Sequence, residues 1–251
     1  MRNEILPLFK SHYSICKSAL TLATKEKELG SRSIIKLTQE NNIDLPFLIE
    51  DNMSSFLEAY THFKDINQKY VYGVRLTFCS DVNDKSEESL NTECKYVILF
   101  NNTQGYYDFI KIWNRAATEW FYYFPRVDFN SIKSLWTKNL TLAVPFYDSF
   151  LFNNNMTCRN CIPSTEIPPE VYFLERNDLP FDESIRSIVK KYAKDSEVVE
   201  TQSIYYETPD DFLPYLTMRC IGKRSVISKP QLDHMSSDTF NLNHWRDRHG
   251  I

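Results

Sequence analysis

An α/β fold on a largely parallel sheet, open or closed into a barrel, is what this sequence predicts, and three observations predict it. Short β-branched and aromatic runs alternate along the chain with segments whose apolar residues recur at helical spacing. No internal repeat and no linker-like stretch interrupts the alternation, so one domain is expected over residues 1–243, followed by a charged tail, 244–251. The 251 residues, 42% hydrophobic and 25% charged, suffice to bury a substantial core.

The elements follow in order. Pro7 to Ser14 opens the chain as a first strand and the turn after it, and Leu48 to Tyr60 is a turn leading into a helix. Phe56, Ala59, Tyr60, Phe63 and Ile66 give that helix its apolar face, with Ser55 and Glu58 spaced as a capping box. Tyr70 to Phe78 is β-branched and aromatic and predicts a strand, and the polar, acidic residues 81–92 predict a mobile surface loop. A strand from Tyr96 to Phe100 leads into a helix with Tyr106, Phe109, Ile110, Trp113 and Ala117 on one face. Leu140 to Phe146 is a further strand, and residues 153–170, with Pro163, Pro168 and Pro169, are an irregular surface excursion. Val171 to Leu174, a helix from Asp182 to Tyr192 and a strand from Val198 to Thr201 continue the pattern. Thr208-Pro209-Asp210-Asp211 starts another helix, with proline in the first turn and acids at the positive end of its dipole.

Composition excludes several functions. A net charge of −4 argues against nucleic-acid binding as the dominant activity, because DNA affinity rests on cations neutralising phosphates; Arg219, Lys223 and Arg224 are a local exception. No apolar run is long enough to span a membrane, and the polar start Met1-Arg2-Asn3-Glu4 is no secretory signal. The six cysteines are therefore expected as reduced thiols in a cytoplasm. Cys158-x-x-Cys161 has the spacing of half a zinc knuckle or of a redox pair, but its other half is missing nearby; the next cysteines, Cys79 and Cys94, lie far back in the chain. Two reduced cysteines in a loop is the plainer reading. The run Trp120 to Phe124 is weighed as core and rim packing against base stacking. His12 is expected beside a site rather than in one, His62 on a helix surface, and His234, His244 and His249 without metal-like spacing.

The ordered motifs resemble a known family. Phe121-Tyr122-Tyr123-Phe124-Pro125-Arg126-Val127-Asp128, preceded by Gly105-Tyr106, resembles the polymerase and histidinol phosphatase (PHP) domain at the N-terminus of bacterial and phage DNA polymerase III alpha subunits. Pro7 to Ser14 resembles the family's opening motif, Leu48 to Tyr60 its second, Gly73-Val74-Arg75 its Gly-x-Glu, Thr201 to Asp211 its final motif, and Cys220-Ile221-Gly222 the segment beyond. The resemblance implies a distorted parallel (βα) barrel. In active members histidines, carboxylates and a cysteine at strand ends gather two or three divalent ions that activate a water and clamp a phosphoryl group.

By that resemblance the ligand positions here have been replaced. The opening His-x-His aligns with Leu8 and Lys10, the second motif's acid and histidine with Ile49 and Glu50 or, slipped by one, with Glu50 and Asp51. The glutamate falls at Arg75, the later cysteine near Pro145, and the closing Asp-x-His at Ser203 and Tyr205. No metal and no cofactor is expected, and Lys10 or Arg75 is expected to pair with Glu50 or Asp51 in the metals' stead. The implied function is a catalytically inactive accessory part of a phage-type, C-family replicative polymerase in the cytoplasm of an infected bacterium. It would dock to the polymerase core, a proofreading exonuclease or both, and reach DNA only indirectly. A chain of this extent ends before a polymerase palm begins, so it is expected as a separate subunit or as the N-terminal piece of a longer polymerase. The alternatives are a metal-dependent phosphoesterase or 3′–5′ exonuclease with a divergent site around Glu50 and Asp51, and a viral interaction protein that reuses the fold.

Overall fold

The computed structural model describes residues 5–25, 30–164, 166–194, 196–229 and 237–250. Eight strands lie in one sheet: β1 (Leu6–Phe9), β2 (Phe47–Glu50), β3 (Val71–Phe78), β4 (Cys94–Phe100), β5 (Arg126–Val127), β6 (Leu140–Val144), β7 (Val171–Glu175) and β8 (Glu197–Ile204). Their order is β2-β1-β8-β7-β6-β4-β3-β5, and a further β2–β3 pairing closes a ring of seven, with two-residue β5 appended to β3. The helices are α1 (Ile34–Glu40), α2 (Phe56–Asp65), α3 (Thr103–Ala117), α4 (Phe129–Lys133), α5 (Phe150–Met156), α6 (Asp182–Ala193), α7 (Phe212–Lys223) and α8 (Leu242–His249).

The expected distorted parallel (βα) barrel of the PHP type is overturned: the barrel is a closed, seven-stranded mixed one. β1 is parallel to β2 and β8, and β6 to β7, but β4 is antiparallel to both β3 and β6. The physical reason lies in residues 79–93. Parallel neighbours need a crossover, usually helical, whereas this connection holds only a short 3₁₀ turn, Glu88–Thr92, and the chain returns beside itself in the opposite sense.

The chain divides into two compact units. The first comprises residues 1–72, 175–182 and 200–251, the second 73–174 and 183–199. In the first, Phe9, Leu22, Leu37, Phe63, Ile204, Tyr215, Phe240 and Leu242 are buried around β1, β2 and the end of β8. α2 forms as its spacing predicts, but Ser55 is not its side-chain cap; its hydroxyl bonds Tyr72 OH at 2.7 Å. Before α7 the expected capping residues do meet: the Asp211 carboxylate accepts the Thr208 N–H at 2.9 Å. Residues 244–249 of the expected tail lie in α8, capped by Asn241, whose Oδ1 accepts from His244 N at 2.8 Å. α8 buries Trp245, and the indole N–H donates to Ile5 O at 2.8 Å, tying the helix to the start of β1.

In the second unit α3 buries Gly105, Asp108, Phe109, Ile112 and Ala116, a face turned from the expected one. Two residues that look wrong for a core explain the rotation. Asp108 is buried because Thr137 Oγ1 and Asn139 Nδ2 donate to Oδ2 at 2.8 and 3.1 Å, satisfying its charge. Gly105 lies against the Asn139 backbone: a Cβ there would stand 2.3 Å from Asn139 O. Gly105→Ala is therefore expected to destabilise the protein by about 2 kcal/mol despite alanine's better helix propensity, since backbone must move to admit the methyl. A denaturant midpoint at or above that of the unmodified protein would refute the close approach.

Candidate functional site

Parallel pairing of β1 with both β2 and β8 aligns the C-terminal ends of three strands, and most of the expected site positions follow from that register. Leu8 is the cross-strand partner of both Phe47 and Ser203, and Phe9 of Leu48 and Ile204. Immediately beyond lie Lys10, Glu50, Asp51 and Tyr205. The chain after β1 folds back over this rim, because the Ser18 hydroxyl donates to Lys10 O at 2.5 Å and to Tyr205 O at 3.0 Å.

The charges on the rim are internally matched. The Lys10 ammonium, 4% exposed as a residue, donates to Asp51 Oδ1 at 2.7 Å, and the Lys17 ammonium lies 2.6 Å from Asp51 Oδ2. Glu50 is fully buried; its Oε1 accepts the Ser11 N–H at 2.9 Å and its Oε2 accepts the Ser14 hydroxyl at 2.5 Å. Ser14 Oγ in turn accepts Asp51 N–H at 3.0 Å, so one hydroxyl links the two acids. Burial pushes the Glu50 carboxyl above its ordinary value, against the Lys10 charge and the Ser11 and Ser14 hydrogen bonds, which pull it down. Farther out, Tyr13 OH donates to Glu58 Oε2 at 2.6 Å, and that acceptor, with burial, raises the phenol's pKa.

The neighbouring positions are equally occupied by structural roles. The Ser203 N–H and hydroxyl donate to Glu175 Oε2 and Oε1 at 3.1 and 2.8 Å. Glu175, at the end of β7, also accepts Asn177 Nδ2 at 3.1 Å, and Asn177 Oδ1 accepts Gln202 Nε2 at 2.5 Å. Tyr205 is buried, stacked on Tyr215 with ring centroids 6.0 Å apart and tilted against Phe240. Leu8 and Ile49 are buried apolar side chains in the core.

Two expected positions lie in the second unit. Pro145 is buried just after β6. Arg75 donates through Nη2 to Tyr147 O at 2.7 Å and to Asp148 Oδ2 at 2.8 Å. Asp148 adopts a left-handed backbone, φ 58°, and its carbonyl accepts Lys95 N–H at 2.7 Å, so the guanidinium braces a strained turn. Arg75→Glu is expected to lower stability by about 2 kcal/mol, because it strips the buried Tyr147 carbonyl of its donor and sets two carboxylates together. An unchanged thermal midpoint would count against that bracing role, and no metal-dependent activity is expected to appear.

Metal chemistry does not fit the donor set. Leu8, Ile49 and Pro145 offer no ligand atom, Lys10 brings a fixed positive charge, and the Ser203 hydroxyl is committed to Glu175. Among the described residues no group of three or more His, Cys, Asp or Glu side chains is placed to hold a metal. Cys158 is exposed, whereas Cys161 is buried with its Sγ 3.2 Å from Glu93 O. His12 is exposed against the Tyr13 ring, His62 lies 3.5 Å from Glu58, and His249 stacks on Trp245. His234 lies outside the described residues.

Of the expected basic patch, Arg219 is buried with Nη1 3.5 Å from Cys16 O, and Lys223 and Arg224 are exposed. Trp120 is buried, while Phe121, Tyr123 and Phe124 reach solvent. Sequence reasoning missed Ser14, Lys17, Glu175 and Asp148. Only Glu175 carried a signal, an acid closing an otherwise apolar strand.

No helix among the described residues is long and apolar enough to cross a membrane. No protein-family model matches this chain, and no curated protein matches it significantly.

Proposed function

We propose that this chain is a non-catalytic accessory part of a phage-type, C-family replicative DNA polymerase, docking to the polymerase core, to a proofreading exonuclease or to both, in the cytoplasm of an infected bacterial cell. The reading rests on the ordered motif resemblance, and the observation that carries it is the Lys10–Asp51 pair on the rim of β1 and β2. An ammonium about 4 Å from a divalent ion is opposed by about 8 kcal/mol at an effective dielectric of 20, so a lysine there takes the metals' place as internal counter-charge. Both Glu50 oxygens and both Asp51 oxygens are already engaged by Ser11, Ser14, Lys10 and Lys17. That leaves a surface kept for its shape, and the net charge of −4 leaves DNA to the partners.

The test pairs binding with chemistry. The purified chain is titrated calorimetrically against the polymerase core and the exonuclease of the same replication system, and assayed on phosphodiester and phosphomonoester substrates with manganese or zinc. A saturable complex with either partner and no metal-stimulated turnover is the expected result. Turnover abolished by Glu50→Gln or Asp51→Asn would transfer the protein to the phosphoesterases. Neither binding nor turnover would leave an interaction protein directed at another target.

The metal content of gently purified protein provides a separate check. Zinc, manganese and iron together should stay below about a tenth of an equivalent, since a closed multi-ligand site retains its ions through purification. Two or more equivalents would overturn the reading.

A further inference from the structure

α7 carries apolar residues on both of its faces. The inner face buries Tyr215, Arg219 and Cys220, and Tyr215 stacks on Tyr205. A surface helix ordinarily turns polar residues outward. The outer face of α7 instead holds Leu213, 59% exposed, Ile221, 69% exposed, and an exposed Pro214. Between them lies Thr217, whose hydroxyl donates to Leu213 O at 2.8 Å and so needs no outside partner. Charges close the stripe at both ends. Asp210, in the 3₁₀ turn that runs into the helix, and Arg224, its left-handed C-cap, are both exposed. Asp211, by contrast, is committed to the Thr208 cap.

The stripe reads the same in both directions. Asp210, Leu213, Thr217, Ile221 and Arg224 follow at intervals of three, four, four and three residues, the spacing that puts side chains on one helix face. Turned end for end about Thr217, it places an acid where the arginine was and leucine where isoleucine was. Such a surface is complementary to itself, which is what a twofold interface between identical chains requires.

We propose that the outer face of α7 is the contact between two copies of this chain, with the two helices antiparallel about a twofold axis at Thr217. Leu213 of one copy packs on Ile221 of the other, and Asp210 of one pairs with Arg224 of the other, each contact occurring twice. Eight residues separate Leu213 from Ile221, about 12 Å along the helix axis, and the same interval on the second helix keeps both contacts in register. Antiparallel packing also sets the positive end of one helix dipole beside the negative end of the other. A parallel pair would oppose acid to acid and arginine to arginine. Burial of the leucines and isoleucines supplies the attraction, and the terminal charge pairs fix the direction. One helix pair is a small interface, so the dimer is weak and forms in proportion to concentration.

Sedimentation velocity of the full chain from about 1 to about 300 µM should show a reversible monomer–dimer equilibrium. Ile221→Asp should abolish it. Asp210→Lys and Arg224→Glu should each weaken association about tenfold, by setting like charges together at both ends of the contact, and the variant carrying both should return to within about threefold of the unsubstituted chain. Thr217→Cys, oxidised at high concentration, should give a cross-linked dimer in excess of any the unsubstituted chain forms, because the two copies of that residue meet on the axis. A chain that stays monomeric throughout the range would overturn the proposal. So would a dimer indifferent to Ile221→Asp, charge reversals that do not compensate each other, or a Thr217→Cys chain that gains no cross-link. Sedimentation of the unsubstituted chain and the Thr217→Cys cross-link decide the matter even where a charge-reversed variant fails to fold.

Discussion

Arg126→Met is expected to cost about 4 kcal/mol of stability, the range for removing one partner of a buried ion pair and leaving the other uncompensated. Arg126 is wholly buried and organises the segment between β3 and β4. Its Nη1 donates to Ser89 Oγ at 3.1 Å and lies 3.4 Å from Glu93 Oε1, and its Nη2 donates to Asp84 O at 2.5 Å and to Val82 O at 3.3 Å. The guanidinium also lies 4.8 Å from the centre of the Tyr122 ring. Methionine keeps most of the volume, so the loss reports on charge and hydrogen bonds rather than on a cavity. Lysine should not rescue it, since a point charge cannot reach four acceptors in a planar fork.

The pH dependence of the same variant gives a second check. Burial already raises the Glu93 carboxyl, and Arg126 is what restrains it. Without the guanidinium the folded-state value climbs further. A group whose folded pKa is raised binds its proton more tightly when folded, so stability falls as pH rises from the unfolded value through the folded one. Arg126→Met should therefore lose less relative to the unmodified chain at pH 5 than at pH 8, measured by urea unfolding. Equal losses at both would show that Glu93 is not the group left uncompensated. Hydrogen exchange should also report lost protection in residues 82–92.

Arg126 marks how much of the fold was legible. The helix after Ser55, the strands at 71–78 and 171–175, and the proline-started 3₁₀ turn that leads into α7 follow from local spacing and capping, which a single sequence displays. Strand direction is not local. The polar stretch 81–92 contains no helical pattern, which by itself argues against a parallel β3–β4 pair, but regular alternation elsewhere outweighed it. Nor does that stretch look anchored, because two of its anchors, Arg126 and Asp128, lie far downstream.

Long-range polar partnership was the other blind spot. Of the pairings expected of Lys10 or Arg75 with Glu50 or Asp51, the one between Lys10 and Asp51 forms. The pairing of Arg75 with Asp148 was not readable, because nothing around Asp148 distinguishes it from a surface acid. α3 misled for the opposite reason: Gly105 and Asp108 lie on its buried face and mimic solvent-facing residues.

Lys10→Met is the second large effect, about 3 kcal/mol destabilising. The lysine side chain is 5% exposed and its Asp51 partner 18%, so water replaces little of the lost interaction, though Lys17 remains on the other Asp51 oxygen and limits the damage. Asp51→Asn alone should also destabilise, by leaving Lys10 buried against a neutral amide. The double variant should cost less than the sum of the two, because residues in one ion pair are not independent. Additivity within about 0.5 kcal/mol would mean that the pair contributes nothing as a pair. Glu50 supplies the pH signature. Its carboxyl is already raised by burial and is held down chiefly by Lys10, so Lys10→Met raises it further. Stability of the variant should then fall more steeply than that of the unmodified chain as pH rises above 4.5, the ordinary glutamate value. Adding Glu50→Gln to Lys10→Met removes the titrating group and should flatten the extra slope. If the slope persists in that double variant, the buried charge restrained by Lys10 is not Glu50, and the lysine would no longer serve as the counter-charge at the rim of β1 and β2.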